Sequence, residues 1–142
     1  MRGVLIQFEI LLVEDNLADA RIIIDYFKNS GNIINHVNDG SEALDYIYQR
    51  KAYKNVSLPD IVILDMNLPK VDGMTVLVTM KDDENLKDIP VIVFGTSDDS
   101  KEVKSAYKSH ANCYIVKPVD YDNFEHKLEG LVNFWMDIVK LP

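Results

Sequence analysis

Residues 60–73 read Asp60-Ile61-Val62-Ile63-Leu64-Asp65-Met66-Asn67-Leu68-Pro69-Lys70-Val71-Asp72-Gly73, and their reading decides the fold. The apolar run Ile61–Leu64 suits a strand buried on both faces. Asp65 follows it at once, then a proline-bearing loop, then a helix predicted over Gly73–Lys81. A strand covered on both sides and handed to a helix by a short loop is the repeating unit of a parallel sheet sandwiched between helices.

Outward from this stretch the unit recurs. Strands are predicted at Phe8–Val13, Ile33–Val37, Val91–Phe94 and Cys113–Val116, and helices at Leu17–Asn29, Ser41–Gln49, Ser100–Ser109 and Tyr121–Val139. The expected fold class is α/β, a doubly wound five-stranded parallel sheet with helices on both faces. A length of 142 residues suits one domain, 1–142, with its core over about 8–139 and no residues left for an effector domain. The composition, 47% hydrophobic and 27% charged, describes an ordered globular chain. Met1–Gln7 carry no recognisable chemistry.

A net charge of -8 disfavours a nucleic-acid partner, because neutralising phosphates takes clustered Lys and Arg. The apolar N-terminal stretch is interrupted by Glu9 and falls short of a membrane span, so it reads as a core strand. Cys113, the single cysteine, permits no internal disulfide, and no zinc-type Cys/His spacing occurs. A reducing, cytoplasmic setting is expected. His36, His110 and His126 show no ligand spacing.

In an open sheet of this kind, ligands collect beyond the carboxyl ends of the strands. The residues expected there are Glu14-Asp15, Asp65-Met66-Asn67, Gly95-Thr96-Ser97 and Lys117-Pro118. Three carboxylates at one edge repel one another unless a hard, oxygen-preferring cation joins them, and Mg2+ suits that role. With charge screened in this way, Asp65 is placed to attack a phosphoryl donor in line, while the Lys117 ammonium and the Thr96 hydroxyl suit two phosphoryl oxygens. Each feature alone is weak: an aspartate at a strand end is most often a turn or cap residue. The joint pattern carries the reading.

The blocks LLVEDN (11–16), VILDMNLPKVDG (62–73), VIVFGTSD (91–98) and CYIVKP (113–118) occur in the order and spacing of bacterial and archaeal response-regulator receivers, which this chain resembles over nearly its whole length. The resemblance implies a flavodoxin-like receiver fold and a two-component function, with phosphoryl transfer from a sensor histidine kinase to Asp65. It implies Asp15, Asp65 and the backbone carbonyl of Asn67 as metal ligands, and Glu14 as an outer, water-mediated partner. Thr96 and Lys117 take phosphoryl-sensing roles, Tyr114 is the aromatic that turns inward with Thr96, and the Lys117–Pro118 bond is expected to be cis. Such a domain promotes only its own phosphorylation and dephosphorylation. Gly95, where look-alikes carry a bulkier or hydroxyl residue, is expected to loosen the loop bearing Thr96. Glu14, in place of the frequent aspartate, offers a longer arm to the metal.

Through NCYIVKP (112–118) and the tail FWMDIVKLP (134–142), the chain is similar to small regulators that partner phytochrome-type histidine kinases. Phe124, Leu128, Leu131, Trp135 and Ile138 recur at helical spacing, adjoined by Val132, Met136 and Val139. Phe134, Trp135 and Leu141 exceed what covering the sheet requires, which suggests a surface for a partner protein or for a homodimer through the C-terminal region. Two other classes compete. One is a pseudo-receiver, a protein-binding module that is never phosphorylated; the other is an aspartate-nucleophile phosphatase of the haloacid-dehalogenase type. The latter needs an acid two residues beyond its nucleophile, where this chain carries Asn67.

Overall fold

The computed structural model describes residues 7–142; residues 1–6, most of the leading stretch, lie outside the described residues. The chain runs β1 Glu9–Val13, α1 Leu17–Asn29, β2 Ile33–Val37, α2 Gly40–Ile47, β3 Ile61–Asp65, α3 Gly73–Asp82, β4 Val91–Gly95, α4 Ser100–Lys108, β5 Cys113–Val116 and α5 Tyr121–Val132. All strand pairings are parallel, in the order β2-β1-β3-β4-β5. The expected doubly wound sheet is therefore present.

Side chains alternate across each strand, so one strand feeds two cores. Leu11, Val13, Val62, Leu64, Val91 and Val93 pack under α2, α3 and α4. Ile10, Leu12, Ile61, Ile63, Ile92 and Phe94 face Ile23 and Phe27 of α1 and Phe124 and Leu128 of α5. Each such aliphatic or aromatic side chain contributes about 1.5–3 kcal/mol by leaving water. The α4 helix is the exception, burying only Ala106.

Helix starts follow from side-chain caps. Asn16, Asp39, Asp72, Asp99 and Asp120 each accept a backbone N–H from the first turn of the helix they precede. Asp39 as the cap moves the start of α2 back to Gly40, and the left-handed backbone at Gln49 (φ 54°) closes it before the expected end. The strands β3 and β4 each run one residue further than expected, because Asp65 pairs with Phe94 and Gly95 with Val116.

The last helix departs most from expectation. Regular α-helix stops at Val132, and Asn133–Ile138 form a π-helical turn, with Val139 N–H donating to Phe134 carbonyl at 2.9 Å. The wider turn shifts the phase of the apolar stripe. Val132, Trp135 and Met136 pack on the α1/α5 core, while Phe134 and Ile138 stay exposed, at 50% and 72%. Trp135, expected to be surplus to the sheet, is thus part of its cover. No described helix is long and apolar enough to cross a membrane.

Candidate functional site

Register alone assembles the site. Val13 pairs with Leu64, so Glu14 and Asp65 emerge side by side where the strand order reverses, between β1 and β3. Gly95 pairs with Val116, and Lys117 N–H donates to the Gly95 carbonyl at 2.8 Å, so Thr96 and Lys117 leave the sheet next to each other. Gly73, the first residue of α3, lies against the main chain of Asp65 and Met66: a Cβ there would fall 2.7 Å from the Met66 Cα. Only a missing side chain lets α3 start this close behind Asp65.

Glu14, Asp15 and Asp65 offer carboxylate oxygens that all lie within 4.8 Å of one another. Glu14 and Asp65 are buried and Asp15 is exposed. This all-oxygen set, two acids inside and one at the rim, fits a hard divalent cation. Lys117 reaches the same cluster: its Nζ stands 2.5 Å from Glu14 Oε1, 3.1 Å from Asp19 Oδ2 and 3.7 Å from Asp65 Oδ1. The long arm of Glu14 serves this ion pair, and its second oxygen accepts the Asn16 N–H at 3.2 Å.

The charges perturb one another strongly. Burial raises the Asp65 pKa to about 7, helped by the hydrogen bond and charge of Glu14, while Lys117 and the Asn67 N–H pull it down. For Lys117, burial works against the charged form, but Glu14, Asp65 and Asp19 outweigh it and hold the ammonium above its ordinary range. Without a bound cation, Asp65 near neutrality is therefore partly protonated.

Thr96 is tied to the loop after β3, its Oγ1 accepting from Asn67 Nδ2 at 3.1 Å. The Tyr114 hydroxyl points to the β4–α4 loop, where the Ser97 carbonyl at 2.8 Å and the Glu102 carboxylate are both in reach of its single proton. Burial and the Glu102 carboxylate push its pKa up. Gly95 itself is buried and paired as the last residue of β4, directly before the loop that carries Thr96. The expected cis bond at Pro118 is corrected, since no peptide bond among the described residues is cis. The trans form is the lower in energy for X–Pro by about 0.5–1 kcal/mol, and the Lys117 N–H to Gly95 bond already places the lysine over the acids.

Sequence reading overlooked four contacts. Asp19, in the first turn of α1, meets the Lys117 ammonium at 3.1 Å from far away in the sequence, so no local spacing announced it. His36 Nε2 lies 2.7 Å from the Glu14 carbonyl, held there by β1–β2 register. The Asn67 side chain and Glu102 bond across long sequence separations and left no local signal.

Comparison with known proteins agrees with this geometry. The sequence pattern of the response regulator receiver domain matches residues 10–129. Response regulator Rcp1 of Synechocystis sp. is 38% identical over 137 residues, covering 94% of this chain and 92% of its own. The probable methanogenesis regulatory protein FilR2 of Methanothrix harundinacea is 40% identical, covering 95% and 88%. The crystal structure of Mn2+-bound Rcp1 superposes with a TM-score of 0.91 at 36% identity, covering 95% of this chain and 99% of that one. That of the phosphorylated cyanobacterial phytochrome response regulator RcpA gives 0.93 at 40% identity, covering 96% and 99%. With a matched pattern spanning most of its length and relatives aligned almost end to end, this chain belongs to the response regulator receiver domain family of two-component signalling.

Proposed function

We propose that Asp65 accepts a phosphoryl group from the phosphohistidine of a sensor histidine kinase, in a Mg2+-dependent transfer that changes a protein-contact surface through Thr96 and Tyr114. The observation that carries this reading is the convergence of Glu14, Asp15 and Asp65 beside the Lys117 ammonium. A carboxylate oxygen of Asp65 forms the new O–P bond as the donor's P–N bond breaks, and the imidazole leaves with that electron pair. Lys117 holds one phosphoryl oxygen by charge, and the Thr96 hydroxyl donates to another once it is released from Asn67. Asp15, Asp65 and the Asn67 carbonyl would hold the cation, with Glu14 behind them, and a bound Mg2+ would supply neutralising charge to the phosphoryl oxygens.

Catalysis on this reading serves only the chain's own phosphorylation and dephosphorylation. The likeness to the phytochrome response regulator RcpA supports a phytochrome-type kinase as partner, with both proteins in the cytoplasm. The acidic charge supports a protein rather than a nucleic-acid target. Acetyl phosphate with Mg2+ should add one phosphoryl group by intact mass, and chelation should prevent it; no gain under these conditions returns the chain to the pseudo-receiver class.

The same reading includes self-association through the C-terminal region. Phe134 stands exposed on an apolar groove of about 890 Å³ that the edge strand β5, Leu131, Trp135 and Val139 also line, and Ile138, in the same π-helical turn, is exposed as well. Exposed groups of this size favour burial. The double variant Phe134→Ser, Ile138→Ser should weaken dimerisation about tenfold or more in sedimentation velocity, with the circular dichroism of the fold unchanged. An unaltered sedimentation profile would place any interface elsewhere.

A further inference from the structure

Three observations meet at Tyr114. Its hydroxyl donates to the Glu102 carboxylate, in the first turn of α4, and its backbone N–H donates to the Tyr107 hydroxyl, in the last, at 3.1 Å. Its ring occupies the space beside Gly95 that a side chain would fill: a Cβ at 95 would lie 2.5 Å from Tyr114 Cζ and closer still to the hydroxyl oxygen. The α4 helix itself buries only Ala106. A helix with so little apolar anchorage depends for its position on its polar contacts, and two of these grip the same residue of β5.

We propose that Glu102 is a positioning residue that latches the Tyr114 ring inward, that Gly95 is the socket admitting the ring, and that α4 and Tyr114 therefore move as one unit. The latch deepens the reading of Tyr114 as the moving aromatic and rests on it. Charge at Glu102 and shape at Gly95 contribute in different ways. The carboxylate competes with the Ser97 carbonyl for the hydroxyl's single proton and, being charged, is the stronger acceptor, while the glycine removes a steric bar. A chain with any side chain at 95 cannot seat the ring in this place unless the strand or the ring shifts.

The test reads the ring directly and uses no phosphoryl chemistry, so its failure leaves the role of Asp65 untouched. In full-length protein carrying 13C-labelled tyrosine, the Tyr114 ring resonance is assigned by its loss in Tyr114→Phe. Glu102→Ala and Gly95→Ala are each expected to shift it, whereas Glu102→Gln, which keeps an acceptor oxygen, retains the wild-type position. In a double-mutant cycle, Glu102→Ala should lower the folded-to-unfolded ratio about tenfold in wild type and much less in a Tyr114→Phe background. A ring resonance unmoved by Glu102→Ala or by Gly95→Ala overturns the latch. Equal effects of Ala and Gln at 102, or an effect undiminished without the tyrosine hydroxyl, overturn it too, since a helix-end charge alone would behave that way.

Discussion

Asp65→Asn is expected to abolish phosphoryl gain from acetyl phosphate and Mg2+, and at the same time to stabilise the fold above neutrality. Asparagine keeps the shape and loses the nucleophile, so loss of labelling isolates the chemistry. The stability gain follows from the perturbed acid. With its pKa at about 7 in the folded chain, against an ordinary aspartate value of about 3.9, Asp65 favours folding in its protonated form. That stability is fully present below about pH 4 and is lost as pH rises through about 7. Asparagine has no proton to lose, so the variant's advantage should be absent near pH 4 and reach about 2 kcal/mol near pH 8 in chelator. The shift by itself sets a ceiling of about 4 kcal/mol. Mg2+ should narrow the gap by stabilising wild type alone. Urea denaturation at both pH values checks this, and a gap independent of pH, or acid-labile labelling that survives in the variant, would overturn the argument.

Lys117→Met is expected to have the opposite effect. The methionine fills the path of the lysine stem but leaves Glu14 and Asp65, both buried, without their cation. Removing one partner of a buried ion pair costs about 3–5 kcal/mol, and here the ammonium also serves Asp19. The variant should unfold at markedly lower urea in chelator at pH 8, recover in part with Mg2+, and recover again on acidification as Asp65, whose pKa burial already raises, protonates. Equal stability of variant and wild type in chelator would mean that the ammonium does not hold the acids together. Phosphoryl labelling should fall as well, since a neutral thioether cannot pair with a phosphoryl oxygen.

Much of this site was legible in the order of residues, for a definite reason. The apolar runs of β1, β3 and β4 mark strands buried on both faces, and a parallel sheet presents the residue after each strand at one edge. Glu14, Asp65 and Thr96 could thus be assigned to a common place before any coordinates. Helix α1 has the bounds expected, Leu17–Asn29, because its apolar periodicity and cap are both local. The tail resisted the same reading. Its stripe continues at helical spacing through Trp135 and Ile138, but the shift to a π-helical turn depends on Trp135, Met136 and Val132 finding space against the α1/α5 core. A one-dimensional pattern does not contain that competition.

By itself, the sequence determined the fold class and which side chains reach the carboxyl edge of the sheet, because apolar period and strand ends are properties of neighbours along the chain. Only the tertiary structure decided that Lys117 answers Asp19 and Glu14 together, that Asn67 ties Thr96, that Pro118 is trans, and that Gly95 is a socket for Tyr114. Each of these depends on distances between segments far apart in sequence. Packing and register set those distances, and no local preference encodes them.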